Sequence, residues 1–441
     1  MNESVGLLGE AITANHWDRM DGVHPDPLPV VSVVIPYFMQ QSQLDRTLLA
    51  LQRQSYPQAL LDIIVVDDGS PKAPIVARHV RVIRQEDLGF RLAAARNAGA
   101  KAARGTILCF LDADTVPEPG YVRELVRLPS LVVDAVTVGR RRHADLSRAA
   151  VDDRIELMAP ALELDMPAWL SLAYERTRDL LDVDHRSYRY LIGAVLACSR
   201  AFFDETGGFD ESFSDYGGED WEWGYRAWLA GAVLAHVPAA VAWHDGPDWS
   251  GRSEAGTSQQ HLKNRETLTL SRSIPAPGSR GHGVRTSTPD VVVEIESGST
   301  TPAALFICVD SILEALPHAI VVLSHSPVGF SFDDPRVVTG SDAVNYALAR
   351  AVVLVGQPLR VDPGAFRFEV ERVASGSGQA ADVIAHCPLG NPVLEIRSMR
   401  ARRRRARWNR EELFPTSTVV PEWISALDPA PDLEAYLGGW N

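Results

Sequence analysis

Two carboxylates separated by a single residue follow a short apolar run. Asp112 and Asp114 come directly after Ile107–Leu111, a run typical of a buried strand. Side chains at positions i and i+2 of an extended chain point to the same side, where like charges repel. A hard divalent cation removes this repulsion and attracts a diphosphate. The pair is therefore a candidate metal site, although an Asp-x-Asp sequence on its own is more often a solvated loop.

A second acidic pair ends another strand-like run, Ile63–Val66. Asp67 and Asp68 stand before Gly69, which allows a tight backbone turn. A carboxylate at this point can accept a hydrogen bond from a nucleobase N–H or a ribose hydroxyl. The same residues also form an ordinary Asp-Gly turn. A functional interpretation of this pair therefore depends on the motifs around it.

Fixed cations and an amide follow in the next part of the chain. Arg91 stands in Gly89-Phe-Arg91, and Arg96 and Asn97 lie in the alanine-rich run Leu92–Ala103. The planar donor fork of arginine suits phosphate oxygens. The alternative is a helix N-terminus that carries salt bridges.

Two glycines precede two carboxylates in the segment 216–223. Glu219 or Asp220, within reach of an acceptor hydroxyl, would act as a general base, worth roughly 10²–10⁴ in rate. An acidic helix start, favoured by the helix dipole, gives the same pattern. The flat faces of the neighbouring tryptophans suit stacking on a sugar ring. Candidate acceptor contacts are Gly218, Trp221 and Trp223.

One histidine stands at the end of a late apolar run, Val233–Trp243. A neutral imidazole at His244 could complete a metal shell. A lone histidine is more often a packed residue, so His244 depends on the other motifs.

The elements that must position these residues alternate between strand and helix. Apolar β-branched runs at Val30–Ile35, Ile63–Val66, Val80–Ile83 and Ile107–Leu111 are separated by segments with helical spacing, such as Leu44–Gln54. This alternation predicts an α/β fold with a mainly parallel sheet. Ligands of such sheets bind outside the carboxyl ends of the strands, where both acidic pairs lie.

Length and charge narrow the classes of protein. A chain of 441 residues favours two domains. The formal net charge of -14 argues against nucleic acid as a partner. Neither a signal peptide nor a transmembrane helix is recognisable, and four scattered cysteines are typical of reduced thiols, so we expect a soluble cytoplasmic protein.

The second half resembles a degenerate copy of the first. Pro-rich residues 273–290 predict a linker, and Asp342–Gly364 can be aligned with Ala98–Gly120. Gly356 and Pro358 then replace the two metal-site aspartates. Two unrelated α/β domains remain the alternative. The predicted boundaries are 1–29 for an N-terminal extension, 30–272 for a catalytic domain, 273–290 for the linker, 291–390 for the degenerate domain and 391–441 for an Arg-rich C-terminal segment.

Eight arginines between Arg397 and Arg410 stand out in an acidic chain. Such a cluster could contact anionic lipid peripherally, or an acidic acceptor. A solvated helix is the more common explanation, and we favour it.

Taken in order, the motifs resemble the family 2 glycosyltransferases of the GT-A fold, in which nucleotide-diphospho-sugars are donors. The resemblance covers about residues 30–250 and is similar to the chondroitin-polymerase-like and galactosyltransferase-like branches. It rests on Val31–Tyr37, Val65–Ser70, Gly89–Arg91 with Ala95–Gly99, Phe110–Asp114 and Gly217–Asp220.

The resemblance implies a metal-dependent inverting transfer of a glucose- or galactose-type hexose from a UDP-sugar to an acceptor hydroxyl. Asp220 would be the base, with Glu219 beside it. Asp112, Asp114 and His244 would hold Mn²⁺ or Mg²⁺. Residues implied at the donor site are Pro36, Asp67, Asp68, Arg91, Arg96, Asn97, Asp112 and Asp114. The acceptor would be a small natural product such as an aminocyclitol, or a cell-surface glycan.

Three alternatives stay open. Some polypeptide sugar transferases share the Gly-Gly-Glu element and retain the anomeric configuration. Sugar-nucleotide-forming nucleotidyltransferases carry a Gly-rich signature after the first strand, where this chain has Pro36–Gln40 instead. A non-catalytic sugar-binding scaffold is the third, and it suits the second half better than the first.

Overall fold

Two separate units make up the chain. The computed structural model describes residues 9–214, 217–247, 257–298, 300–377, 381–386 and 392–438. Met1–Trp228 with Ala232–Leu270 forms the first unit, and Leu229–Gly231 with Ser271–Asn441 forms the second. The division at residue 270 lies three residues before the predicted linker, inside a helix. Within that linker Ile274 and Ala276 are fully buried, so its first part is not an exposed connection.

The first unit is built from nine strands and eight helices in its described residues. The strands are β1 (Val31–Tyr37), β2 (Leu61–Asp67), β3 (Arg81–Arg84), β4 (Ile107–Leu111), β5 (Thr115–Pro117), β6 (Ala135–Ala144), β7 (Glu163–Leu164), β8 (Val195–Ser199) and β9 (Val233–Asp245). The helices are α1 (Gln41–Gln52), α2 (Leu92–Ala102), α3 (Tyr121–Leu131), α4 (Ile155–Met158), α5 (Ala168–Arg176), α6 (Arg200–Glu205), α7 (Glu219–Leu229) and α8 (Thr257–Ser273).

The nine strands form one sheet in the order β3-β2-β1-β4-β8-β6-β9-β5, with β7 paired to β6. The first four strands in this order are parallel, as are β6 and β9. β8 runs antiparallel to both of its neighbours, and β5 runs antiparallel to β9. Every residue of β1 is buried, as expected for a strand covered on both faces. The predicted α/β fold with a mainly parallel sheet is confirmed.

The parallel strands end at a common edge. Tyr37 pairs with Asp67 at the carboxyl ends of β1 and β2, and the N–H of Asp68 donates to the carbonyl of Tyr37 at 2.9 Å. Asp112 follows β4 on the other side of β1. The two acidic motifs therefore share one sheet edge because they terminate neighbouring parallel strands.

The described N-terminal residues are part of this unit, which corrects the prediction of a separate extension. Ile12 is buried in a core cluster with Leu128 and Val233. The Asn15 amide donates to the carbonyls of Leu180 and Leu234 at 2.6 and 2.9 Å. Such long-range bonds tie the start of the chain to the sheet.

The second unit has its own sheet of seven strands. Its strands are β10 (Val291–Ile295), β11 (Ile320–Leu323), β12 (Val337–Thr339), β13 (Ala351–Val355), β14 (Leu359–Val361), β15 (Asp382–His386), β16 (Pro392–Ser398), β17 (Thr416–Val419) and β18 (Ile424–Ala426). The helices are α9 (Pro302–Ala315), α10 (Pro363–Ser375), α11 (Met399–Trp408) and α12 (Leu433–Tyr436). β14 and β18 form a separate pair.

The second sheet repeats the topology of the first. Its order is β12-β11-β10-β13-β16-β15-β17, with β10 to β13 parallel and β16 antiparallel to both neighbours. β17 is parallel to β15, as β9 is to β6, and β18 pairs antiparallel with β14, as β9 does with β5. All strands of the first sheet except β7 thus have counterparts with the same direction, and β17 and β18 together correspond to β9.

The Arg-rich C-terminal segment belongs to this second sheet, which corrects the predicted boundary at residue 390. β16 pairs with β13 and β15 in the middle of the sheet. Within α11, Arg400, Arg404 and Arg405 are buried, and Arg405 donates to Asp382 and to the carbonyl of Phe414. The segment is therefore neither a wholly solvated helix nor a uniform basic patch for lipid. In the described part of the chain, every helix is too short or too polar to cross a bilayer.

Close packing of α2 on the sheet gives a test of the fold. A Cβ atom added at Gly99 would lie 2.3 Å from Cγ1 of Val34. We expect Gly99→Ala to lower the free energy of unfolding by about 1–3 kcal/mol through overpacking. Urea denaturation of the full chain measures the loss. Lys101→Ala, an exposed change on the same helix, should change stability little, and equal stability of the two variants would contradict the packing.

Candidate active site

Strand pairing brings an aspartate and a histidine from distant positions together. β5 pairs with β9 so that Thr115 lies opposite His244. Oδ2 of Asp114 then lies 3.6 Å from Nε2 of His244. Nδ1 of His244 donates to the carbonyl of Gly246 at 3.1 Å, so Nε2 is the ring nitrogen that faces Asp114. This is the arrangement of a histidine that can ligate a metal.

The electrostatics of this pair suit a cation. Burial raises the pKa of Asp114; the Asp112 charge adds to the rise, whereas His244 opposes it. A bound divalent cation would reverse this penalty. In the described residues no three His, Cys, Asp or Glu side chains already form a complete metal shell. Two or three protein ligands fit Mg²⁺ or Mn²⁺ that is also bound by substrate phosphates.

A cleft of about 460 Å³ opens beside these residues. Its walls come from the carboxyl ends of β1, β2 and β4, from β6 and β9, and from α2 with the loop before it. The lining residues are Pro36, Tyr37, Phe38, Gln40, Asp68, Asp87, Gly89, Phe90, Leu92, Ala95, Asp112, Ala113, Asp114, Arg141 and His244. Five predicted site residues are among them: Pro36, Asp68, Asp112, Asp114 and His244.

A buried arginine joins the cleft to the start of α7. Arg96 donates to Oδ1 of Asp112 at 2.9 Å and to Oε1 of Glu219 at 2.7 Å. Its side chain is only 2% exposed. Burial opposes its charge, but Asp112, Glu219 and Asp220 together raise the pKa of the guanidinium above its ordinary value. Arg96 therefore links the predicted metal and base motifs.

The two carboxylates at the start of α7 differ in environment. Glu219 is buried, and burial, followed by the charge of Asp220, raises its pKa to about 7 against the opposing effect of Arg96. Asp220 is half-buried and accepts a hydrogen bond from the Gly193 N–H at 3.0 Å. Gly218 precedes them with φ of +96°, a conformation that favours glycine. Asp220 is thus the more exposed of the two.

Three predicted donor contacts, Asp67, Arg91 and Asn97, are not among the residues that line the cleft. Asp67 is fully buried, and its Oδ1 accepts from the Ser70 N–H at 2.9 Å, which holds the turn. The Asn97 amide donates to the carbonyl of Phe209 at 2.8 Å and receives the Phe209 N–H at 3.0 Å. Neither side chain lines the cleft. Arg91 donates its backbone N–H to Asp68 at 3.0 Å, and its side chain is also absent from the cleft lining.

The predicted acceptor contacts need a similar correction. Trp223 is fully buried, and its indole N–H donates to Thr206 at 3.0 Å, so it cannot stack on a ligand. Trp221 is half-buried, with Nζ of Lys263 5.0 Å above its ring. Gly218 is buried and packs by Phe213. Trp221 alone stays a prediction.

Several residues that line the cleft were not predicted from the sequence. Phe38 and Phe90 are each 41% exposed although they line the cleft, as suits a planar base. Arg141 comes from the run Arg140–Arg142 at the end of β6. An arginine run on a strand next to the metal motif was the available signal, but the strand order that brings β6 there could not be read from the sequence.

The second unit lacks the corresponding side chains. β13 is followed by Gly356 and Pro358, as β4 is followed by Asp112 and Asp114. Leu359 lies opposite Ala426, as Thr115 lies opposite His244, so Ala426 replaces the histidine. No described side chain at these three positions can ligate a metal.

Two family models match the first unit. Glycosyl transferase family 2 matches residues 32–180, and the N-terminal domain of galactosyltransferase matches residues 179–243. The first unit is therefore similar to the family 2 glycosyltransferases over residues 32–180. The resemblance noted from the sequence motifs is confirmed.

Named relatives extend this finding. Chondroitin synthase of Escherichia coli is 27% identical over 269 residues, which cover 56% of this chain and 38% of that protein. Validoxylamine A glucosyltransferase of Streptomyces hygroscopicus subsp. limoneus is 30% identical over 221 residues, which cover 45% of this chain and 48% of that protein. Polypeptide N-acetylgalactosaminyltransferase 15 of Homo sapiens is 30% identical over 248 residues, which cover 50% of this chain and 36% of that protein. The chain thus spans less than half the length of these curated relatives.

Among solved structures, one of GalNAc-T7 with UDP, GalNAc and Mn²⁺ matches with a TM-score of 0.39 and 22% identity. The match covers 56% of this chain and 51% of that one.

The raised pKa of Glu219 predicts a pH dependence of stability. Because the folded state holds this proton more tightly than the unfolded state, its contribution is complete below pH 4.5 and is lost as pH rises through about 7. Glutamine mimics the neutral acid. We expect Glu219→Gln to remove this part of the pH dependence, which amounts to at most about 3 kcal/mol in the free energy of unfolding. Urea unfolding of the parent and the variant at pH 5 and pH 8 measures the difference. Parallel pH profiles of the two proteins would contradict the assignment.

Proposed function

We propose that the first unit transfers a hexose from a UDP-sugar to an acceptor hydroxyl with inversion at the anomeric carbon. The observation that carries this proposal is the buried Arg96, which connects Asp112 at the cleft to Glu219 at the start of α7. A donor-sized cleft with an acidic motif and a nearby carboxylate base meets the needs of sugar transfer.

The donor would lie in the cleft with its base toward Phe38, Phe90 and Asp68. The Asp68 carboxylate accepts hydrogen bonds, as a uracil N–H requires. Asp114 and His244, with Asp112, would hold Mn²⁺ or Mg²⁺. Such a cation stabilises negative charge on a leaving diphosphate. Arg141, at the same wall, adds a fixed positive charge for phosphate.

Asp220 is the proposed base. The acceptor oxygen bonds to the anomeric carbon while the bond from that carbon to the diphosphate oxygen breaks. The acceptor proton passes to Asp220, and the bonding electron pair leaves with the nucleoside diphosphate. The Gly193 N–H fixes the orientation of Asp220. Glu219, buried and held by Arg96, supports this geometry.

The sugar and acceptor are proposed more broadly. A glucose- or galactose-type hexose is supported by the glucosyltransferase relative and by the galactosyltransferase family match. The acceptor would be a small natural product such as an aminocyclitol, or a glycan.

A retaining transferase is the second candidate. It is favoured by the similarity to polypeptide N-acetylgalactosaminyltransferases. The half-buried Asp220, whose charge acts on the buried Arg96, supports inversion instead, because one base on the acceptor side suffices for a direct displacement.

The second unit is proposed as a non-catalytic repeat of the first. Its sheet order supports a shared origin. Gly356, Pro358 and Ala426 support the loss of metal binding. A sugar-binding or scaffold role suits such a unit better than transfer.

Hydrolysis of UDP-glucose with Mn²⁺ tests the site. We expect Asp114→Ala and Asp220→Asn each to lower the rate by about 10²–10⁴, since one removes a ligand and the other a base. Asp204→Asn, a change of an exposed carboxylate in α6, should keep full activity. Unchanged hydrolysis in both site variants would refute the assignment.

The stereochemistry of transfer distinguishes the two candidate reactions. With an α-linked UDP-sugar, inversion gives a β-glycoside, so the anomeric proton coupling measured by NMR should be that of a β-linked product. An α-linked product would favour the retaining transferase.

A further inference from the structure

A second cavity of about 290 Å³ lies in the first unit, beside α5, β6 and β9. We call it the side pocket. Its polar lining includes Arg140, Arg141, Glu175, Asp179 and His236. Its volume is near the lower end of the range for small-molecule sites, about 300–1,000 Å³, and so suits a single-ring ligand.

The side pocket adjoins the proposed active site at two points. Arg141 lines both the side pocket and the donor cleft. Ile192 also lines the side pocket, and the next residue, Gly193, donates its N–H to Asp220. A molecule in the side pocket would therefore lie next to both the donor cleft and the proposed base.

A buried histidine in this pocket has an unused acceptor atom. Nδ1 of His236 lies 2.7 Å from Oδ1 of Asp179, so the ring N–H donates to the carboxylate. His236 is only 7% exposed, and its Nε2 has no hydrogen-bond partner among the described residues. The ring stacks flat on Tyr174, with centroids 3.6 Å apart. A buried acceptor of this kind requires a hydrogen-bond donor, which a hydroxyl group can supply.

The backbone holds Asp179 in place at a cost in local strain. Arg178, Asp179 and Leu180 all have φ between +51° and +67°, a region that side chains rarely adopt. The Asn15 amide fixes the Leu180 carbonyl, and the His236 N–H donates to the Asp179 carbonyl at 2.9 Å. Strain that the surroundings enforce is typical of functional sites.

The lining chemistry specifies a neutral ligand with many hydroxyl groups. The charges of Arg140 and Arg141 balance those of Glu175 and Asp179, so a net charge on the ligand gains little. Apolar contacts come from Met166, Leu170 and Pro238. On α5 beside the pocket, Trp169 and Leu172 are 48% and 45% exposed. Apolar walls with a few directed polar groups suit a sugar or cyclitol ring.

We propose that the side pocket is the acceptor subsite and binds a neutral, polyhydroxylated ring through His236 and Asp179. This inference rests on the proposed transfer function, since an acceptor subsite requires a donor. The ring is either a free cyclitol or the terminal sugar of a glycan, because both present the same hydroxyl pattern.

Ligand-observed saturation-transfer NMR on the full chain tests the subsite. The probes are myo-inositol, methyl β-glucoside and cellotetraose, measured with saturating UDP and Mn²⁺ so that the donor cleft is filled. We expect saturation transfer to at least one probe, and preference between the single rings and the tetrasaccharide distinguishes free from terminal rings. The signal should disappear in Ser171→Trp, which fills the mouth of the pocket.

His236→Phe keeps a ring that can stack on Tyr174 but removes both ring nitrogens, so it loses the Nε2 contact and the bond that holds Asp179. It should weaken probe binding about tenfold or more, since one lost hydrogen bond already accounts for about tenfold. Ala59→Trp, an exposed change ahead of β2, is the matched control and should bind probes like the parent. Calorimetric titration of each variant with UDP and Mn²⁺ shows whether it is folded and binds the donor nucleotide, independently of probe binding. Probe binding that persists in Ser171→Trp, or no probe binding while UDP binds, overturns the acceptor subsite alone. Absence of UDP binding overturns the proposed function.

Discussion

The chemistry proposed for this protein depends on one buried guanidinium. Arg96 lies between Asp112 and Glu219, and these two carboxylates offset the cost of burying the charge of its guanidinium. Arginine suits the position because its fork holds two acceptors at defined angles and because it does not lose its proton. A lysine would offer one point of charge and no fixed angle. The packing of Gly193 against this guanidinium leaves no space for a larger neighbour.

The rest of the site follows from strand order. Asp68 and Asp112 meet because β2 and β4 flank β1 in parallel, and their loops leave at the same edge. His244 reaches Asp114 only because β5 turns back and pairs with the end of β9. Local sequence therefore supplies the side chains, while long-range pairing supplies the distances between them. An error of one residue in the β5–β9 register would point the histidine to the other face of the sheet.

This division explains what could be predicted from the sequence. The buried runs of β1, β2 and β4, with the carboxylates that end them, are local patterns, and they predicted both the fold and the position of Asp114. The ligand contacts predicted for Asp67 and Trp223 do not fit the structure, because both side chains stabilise the fold around their motifs. Asp67 accepts a hydrogen bond that holds a turn, and Trp223 donates to Thr206. The burial of a side chain distinguishes a structural role from a ligand contact. Burial depends on contacts between residues that are far apart in the sequence.

The second unit shows how separable scaffold and site are. Its core rests on apolar residues of β10, β11 and β13 with α9 and α10, none of which is a carboxylate at the sheet edge. Gly356 and Pro358 carry no charge where the first unit has Asp112 and Asp114, so the second unit bears no repulsion between like charges at that edge of its sheet. In the first unit, burial and the charge of Asp112 raise the pKa of Asp114, so an ionised Asp114 is a cost to that fold when no cation is bound. This cost is the physical reason to propose that the chemistry lies in the first unit.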